Sequence, residues 1–408
     1  MSFGLAGLRS IHRQLPTAYW PLWVGTVVNR VGGFVAPFLT LYLTTGRGIS
    51  PSHAAMTVSL FGAGSFVSQL VGGELADRYG RRPVMLLSFL SAPVAMVALG
   101  LSQALPVIMV TTLCLGFTTD LYRPAVNAAV ADLVEPRRRP MAFGYLYWAI
   151  NVGAAIAPVL AGLLARYDYF LLFLGDAITT LLFGLIVLAR VPETRPLEAA
   201  HTESRQSSGR LSQLRSDHIL LAFTALALVF GIVYTQGFVT LPLDMQSHGL
   251  SPADYGIAAA VNGALIVLIT LRLSRAAERR PRFTVMSASA IVLGVGFGIT
   301  AAARTLPAFA LSVAIWTIGE ILAASIAPTI VSDLAPPAMR GLYQGIFGSA
   351  WGLAHFVGPV LGGLTFEHLG ANTLWMGCLA AGGLVGIGYL AMARPAGGRL
   401  SASTTAAT

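Results

Sequence analysis

Apolar stretches of membrane-spanning length recur along the chain, separated by short breaks that hold Arg, Gly and Pro. Such stretches match the roughly 20 apolar residues that carry an α-helix across a bilayer. The pattern predicts twelve transmembrane helices, near residues 18–43, 54–76, 83–102, 105–132, 142–165, 169–190, 218–243, 253–275, 284–302, 306–332, 342–366 and 372–393. Between the sixth and seventh, residues 191–217 carry Pro, Glu, Ser, Gln and Arg without sustained apolar periodicity and read as a polar linker. The expected fold is therefore an all-α integral membrane protein: a six-helix bundle over 1–190, a linker over 191–217, a second six-helix bundle over 218–393 and a tail over 394–408.

Composition agrees. Of 408 residues, 55% are hydrophobic and 11% charged, whereas soluble chains have about one charged residue in four. The formal charge of +9 does not point to nucleic acid, because the basic residues sit in loops between apolar runs and not along a soluble face. All of them are Arg. An even number of spans puts both termini on one side, and that side collects Arg9, Arg13, Arg78, Arg81, Arg82, Arg137, Arg138, Arg139, Arg190, Arg195, Arg205, Arg210, Arg215, Arg275, Arg279, Arg280, Arg282, Arg340, Arg394 and Arg399. The opposite side holds Arg47, Arg166 and Arg304. The positive-inside rule then makes both termini cytoplasmic, in the cell's cytoplasmic (inner) membrane. Cys114 and Cys378 lie in separate apolar runs without metal-ligand or redox spacing. No cofactor or metal site is expected.

The two halves align at a constant shift of 201 residues. Gly48 and Ser50 meet Gly249 and Ser251, Asp77-Arg78 meets Glu278-Arg279, and Arg81 meets Arg282. Asp132, Pro136 and Arg139 meet Asp333, Pro337 and Arg340, and Gly144, Pro158 and Gly162 meet Gly345, Pro359 and Gly363. Two halves in one orientation form a parallel repeat, a design in which the substrate site lies near mid-membrane.

The loop after the second span reads GGELADRYGRRP from Gly72 to Pro83. It resembles the signature between helices 2 and 3 of the major facilitator superfamily, matching it at Gly73, Leu75, Asp77, Arg78, Gly80, Arg81 and Arg82. Glycine permits a tight turn there, the acid can engage a helix terminus, and the arginines can pair with acids. The resemblance implies that this cluster latches the outward-facing state, with Asp132 the partner of Arg81. The second copy keeps Glu278, Arg279 and Arg282 but has Pro281 in place of the glycine, so only the first copy is expected to act as a latch. The fifth span carries Gly144, Gly153, Ala157, Pro158, Ala161 and Gly162, and is similar to the helix-5 motif of the superfamily's twelve-helix drug:proton antiporters, with alanine at two of its glycines. Small residues there permit close helix approach and Pro158 a kink. A partner version runs through Gly345, Ala354, Gly358, Pro359, Gly362 and Gly363. The resemblance also implies that spans 1, 4, 7 and 10 line a cavity that opens alternately to each side.

Charges inside spans cost about 2.5–3.5 kcal/mol on insertion scales and are functional candidates. Glu320 lies about 14 residues into the tenth span, roughly 20 Å along it, and is the candidate for proton coupling. Its alternative role is that of a neutral glutamate bonded to a neighbouring helix. Asp120 and Arg123 share a face of the fourth span, with Arg30 at similar depth on the first, which predicts an Asp120 shared between two arginines. That cluster reads equally as a proton- or substrate-sensitive pair or as a structural bridge. Asp176 on the sixth span packs between helices or takes part in transport; its role stays open. Asn29, Trp148, Asn151, Tyr234, Gln236, Asn262 and Trp316 are candidates to line the substrate cavity. No P-loop and no nucleophile-base signature is present in the sequence, so the chain reads as a transporter, not an enzyme, energised by a proton gradient. The resemblance and the polar-aromatic mixture together imply export of hydrophobic or cationic amphipathic small molecules; a monomer is expected. The alternative is one specific metabolite, such as a sugar or organic ion, carried by the same fold.

Overall fold

The computed structural model describes residues 15–195, 214 and 216–405, apart from 36–37, 40–41, 44–46, 50, 166 and 251. Most of the expected linker, the last tail residues and Arg9, Arg13, Arg166, Arg205, Arg210 and Arg215 lie outside the described residues. Among the described residues every regular element is a helix.

The helices are α1 (Tyr19–Val31), α2 (Pro51–Tyr79), α3 (Arg81–Leu101), α4 (Leu105–Asp120), α5 (Tyr122–Leu133), α6 (Arg139–Ala165) and α7 (Phe170–Arg190). They continue as α8 (His218–Val239), α9 (Leu241–Ser247), α10 (Pro252–Glu278), α11 (Arg282–Thr300), α12 (Leu306–Leu334), α13 (Arg340–Leu369) and α14 (Ala371–Thr405). Nine segments among the described residues are long and apolar enough to cross a membrane. The other three expected spans correspond to α1, α2 and α13. The last two have the length, 29 and 30 residues, but are diluted by Gly, Ser, Gln and His. Large apolar side chains such as Leu90 (60%), Val94 (69%), Leu268 (66%) and Leu384 (69%) stand exposed on these helices. That surface suits lipid as the solvent.

Three expected spans are interrupted, each for a local chemical reason. The first does not run unbroken from 18 to 43, because α1 stops at Val31 before the pair Gly32-Gly33. The fourth divides at Leu121 into α4 and α5. Pro124 has no N–H to give the carbonyl of Asp120, four residues earlier. The seventh divides at Thr240 into α8 and α9, where Pro242 withholds the same bond from Phe238.

The chain forms two compact units, one of residues up to Ala200 together with Ala335–Gly348, the other of His201–Leu334 with Ser349–Thr408. Within the first, α2 packs on α4, α3 on α4 and α7, and α1 on α7. Within the second, α10 packs on α12, α11 on α12 and α14, and α8 on α14. Span for span these are the same pairings, so the 201-residue repeat of the sequence is a repeat of packing. The first core centres on the rings of Phe89, Tyr122 and Phe183, with centroids 4.3–5.9 Å apart. The second holds Phe223 against Tyr389 at 5.3 Å and a parallel stack of Trp375, Phe297 and Trp316.

Lipid is as apolar as leucine, so helix pairing relies on close backbone approach at small residues. A Cβ on Gly116 of α4 would overlap the Phe61 carbonyl of α2, and one on Gly64 of α2 the Leu113 carbonyl of α4. Gly62, two residues away, faces open space. Gly116→Leu is expected to destabilise the protein by about 1–3 kcal/mol, read as a lower thermal unfolding midpoint in detergent, while Gly62→Leu leaves the midpoint unchanged.

Candidate functional site

In the second unit, Glu320 of α12 is buried, 6% exposed. One carboxylate oxygen accepts the hydroxyl of Tyr234 on α8 at 2.7 Å, the other the amide of Asn262 on α10 at 2.7 Å. The same amide nitrogen donates to Thr317 Oγ1 at 3.0 Å, one turn of α12 before the acid. Three of the sequence candidates, Tyr234, Asn262 and Trp316, thus gather around the acid from three helices. Tyr234 meets Phe238, Trp316 and Trp351 edge-on, with centroids 5.2, 6.0 and 5.6 Å away. The carboxylate thus accepts from Tyr234 and Asn262, and Tyr234 is itself packed among three further aromatic rings. Charge-assisted bonds of this kind are short and strong, and ring faces add attraction for a cation within about 6 Å.

Gln236, also a cavity candidate, belongs elsewhere. Two residues along a helix turn the side chain by about 200°, so it points away from Tyr234. Its amide donates to the carbonyls of Gly358 on α13 and Ile232, at 2.9 and 2.8 Å, and its oxygen accepts from Thr240. A Cβ on Gly362 would overlap Gln236, which gives that glycine of the eleventh-span motif its reason. Gln236 ties α8 to α13 and lines no part of the Glu320 site.

In the first unit, Asp120 is 4% exposed. It takes Arg123 Nε at 2.6 Å and the hydroxyl of Ser65 on α2. Arg30 does not share it. It forms no ion pair with Asp120, and its guanidinium donates to Tyr122 Oη at 3.2 Å. Asn29 lies 3.5 Å from the same hydroxyl and donates to Thr180 Oγ1 at 2.9 Å. Asp176, 6% exposed, accepts the backbone N–H of Val35 at 3.1 Å. It satisfies a donor freed where the first span breaks. Gly153 of α6 lies so close to Arg30 that a Cβ would overlap it, whereas Gly162 meets only Phe38, at 3.9 Å. Gly144 is buried in α6, and the side chain of Pro158 lies outside the described residues. Trp148 stacks on Trp23 at 5.9 Å, and Asn151 bonds the carbonyl of Tyr147 on its own helix.

The loop motif builds a third cluster in the first unit. Arg81, fully buried, reaches Asp132 at 3.1 Å, Asp77 at 3.2 Å and the carbonyls of Ala76 and Pro337. Asp132 also pairs with Arg340. Asp77 accepts the N–H groups of Gly341 and Leu342 at 2.9 and 2.7 Å, a carboxylate at the positive end of α13. Gly73 and Gly341 sit back to back, each so close that a Cβ would meet the other's carbonyl. Gly80 has φ +106°, a conformation that excludes proline and favours glycine. Arg78 lies outside this cluster, exposed, over the ring of Tyr79. Arg82 donates to the Leu188 carbonyl.

Several partners escaped the sequence. Glu193 caps α3 by accepting the N–H groups of Arg81 and Arg82 at 3.0 and 3.1 Å; its one signal is an acid at the head of a basic linker. Ser65 and Thr317 carried no signal at all. Tyr122, lying between Asp120 and Arg123 in sequence, could have been suspected. The second copy of the motif is also better kept than expected, for Arg282 pairs with Asp333, the counterpart of Arg81 with Asp132. The turn has diverged, since Pro281 has φ −58° where Gly80 is positive.

The family model of the Major Facilitator Superfamily matches residues 22–359 and 237–407. The chain belongs to the Major Facilitator Superfamily. It is 27% identical over 384 residues to YqjV of Bacillus subtilis, a transporter of this superfamily type, covering 92% of this chain and 93% of the relative. It is 22% identical to multidrug resistance protein MdtH of Aeromonas hydrophila, covering 88% and 90%. The structure of a bacterial homologue of the iron transporter ferroportin superposes with a TM-score of 0.78 at 15% identity, covering 93% of this chain and all of that one. As a superfamily member the protein is a multi-pass membrane transporter of small molecules and not an enzyme, with the twelve-helix, two-repeat fold.

If the two loop pairs are true counterparts, a double-mutant cycle on Arg282→Gln and Asp333→Asn gives a coupling of the same sign and size as one on Arg81→Gln and Asp132→Asn. Both are expected at about 1–3 kcal/mol, measured by thermal unfolding in detergent.

Proposed function

We propose that the protein is a proton-coupled exporter of hydrophobic or cationic amphipathic small molecules, working by alternating access with Glu320 as the coupling acid. The observation that supports this most is the Glu320 site. Its carboxylate is buried and accepts from Tyr234 and Asn262, side chains of two other helices. Ionised, it attracts an organic cation, which the rings of Tyr234, Phe238, Trp316 and Trp351 also favour. Protonated, it releases that attraction. Proton and solute then compete for one carboxylate, so each biases the conformations that the other favours. The relation to MdtH, named for multidrug resistance, points the same way.

In this reading Asp120, which pairs with Arg123, is a second candidate for proton coupling, and Arg30, Asn29, Trp148 and Asn151 are candidates to line the pathway. Asp77, Arg81 and Asp132 act as the cytoplasmic latch, with Gly73, Gly80 and Arg82 shaping its turn and Arg78 at its surface. The protein works as a monomer in the cytoplasmic membrane, both termini inside, on the proton gradient alone.

The test is transport of ethidium in proteoliposomes under an imposed pH gradient, later collapsed with an ionophore. Wild-type accumulation should vanish on collapse. Glu320→Gln keeps the shape but cannot ionise, and should lose gradient-driven accumulation by at least about ten-fold, as loss of a charge-assisted contact predicts, while still binding neutral amphiphiles. Undiminished uphill transport by this variant would reject the coupling role, and competition by only one narrow class of solute would reject export of drugs in favour of a specific metabolite.

A further inference from the structure

A second buried acid of the second unit has no part in the site described above. Asp244 lies on α9, the short helix set off from α8 by Pro242, and is 1% exposed. An acid so placed in an apolar bundle is costly unless it is used. Its Oδ2 accepts the indole N–H of Trp375 on α14 at 2.8 Å. The indole has one donor and no acceptor, so the bond fixes the orientation of the ring. Trp375, fully buried, lies parallel to Phe297 of α11 at 5.9 Å and 7°. Phe297 lies parallel to Trp316 of α12 at 5.5 Å and 6°. The inner end of this three-ring stack stands edge-on to Tyr234 and Phe238, one helical turn from Glu320. Gly296 leaves room for Trp316 to pack against α11, and a Cβ on Gly237 of α8 would lie 3.3 Å from the indole. At the rim His248, 23% exposed at its side chain, holds its Nδ1 2.8 Å from the Asp244 carbonyl and 3.5 Å from Oδ1.

We propose that Asp244 is a positioning residue for transport: through Trp375 it sets the ring stack whose last member, Trp316, walls the Glu320 site. Close-packed aromatic rings have few alternative arrangements, so freeing the outermost one lets the innermost move. Asp244 acts here as a hydrogen-bond acceptor, not as a carrier of protons. An amide oxygen in its place would serve as well. The inference rests on the reading that the Glu320 site receives the solute, yet the stack itself can be tested without any solute.

The experiment uses the full-length protein with Asp244→Asn, Asp244→Leu and Trp375→Phe, each followed by near-ultraviolet circular dichroism and by ethidium transport kinetics. Asp244→Asn should keep the dichroism of the stacked rings, and its KM and kcat should stay within about two-fold of wild type. Asp244→Leu should lose that dichroism and raise KM about ten-fold with kcat little changed, as loss of one buried hydrogen bond predicts. Trp375→Phe, which keeps a ring but has no donor, should raise KM in the same direction. Two results would overturn the proposal: Asp244→Leu with unaltered dichroism and KM, or Asp244→Asn with intact dichroism but no gradient-driven transport, which would make the acid a proton carrier. Should the wild-type protein fail to move ethidium, the substrate reading of the Glu320 site fails, and the dichroism alone decides whether Asp244 holds the stack.

Discussion

The structure depends on one constraint: lipid supplies neither hydrogen bonds nor appreciable screening, so a polar group inside the bundles must be met by another part of the chain. The buried acids show how closely this is obeyed. Asp77 takes two backbone N–H groups at the start of α13, and Asp120 takes Arg123 and Ser65. Asp176 takes the N–H of Val35, Asp244 the indole of Trp375, and Glu320 a tyrosine and an asparagine. They differ in the charge of what they meet. Asp77 and Asp120 pair with arginine, whereas Asp176, Asp244 and Glu320 accept from uncharged donors, a distinction that acids alike in the sequence do not show.

Helix interruptions fall beside these acids. Pro124 breaks the fourth span next to Asp120, Gly32-Gly33 breaks the first where Asp176 receives the freed N–H of Val35, and Pro242 breaks the seventh two residues before Asp244. A broken helix leaves backbone donors and acceptors unsatisfied, and a carboxylate nearby can answer a donor that lipid cannot. In transporters of this kind irregular backbone is tolerated where it is enclosed by protein or lines a cavity. The first unit carries two of these breaks, and its polar groups are arranged around Arg30, Tyr122 and Asp120. The second builds its site on unbroken α10 and α12 and lines it with aromatic rings. The two halves therefore keep a common packing plan while diverging in chemistry.

The loops between the second and third spans of each half show the same division between shared frame and local change. Arg81 with Asp132 and Arg282 with Asp333 form equivalent pairs 201 residues apart. Gly80 permits a turn that Pro281 cannot make. Glu193 completes the first copy by capping α3, a role that depends on where the chain goes after the sixth span.

Sequence by itself determined the elements. Apolar runs of spanning length, the 201-residue repeat and the loop motif are local or periodic properties, and they specify a twelve-helix transporter because a bilayer admits few other ways to satisfy a backbone. The costly charges were legible too, as exceptions within those runs. What only the tertiary structure decided is which of them meet. Helix rotation set Tyr234 toward Glu320 and Gln236 toward α13, two residues apart in one helix. Arg30 met the hydroxyl of Tyr122 and formed no ion pair with Asp120, and Asp244 found an indole 131 residues away. Pairings of this kind depend on the azimuth and depth of two separate helices, which close packing at glycines and rings fixes and which no single segment encodes.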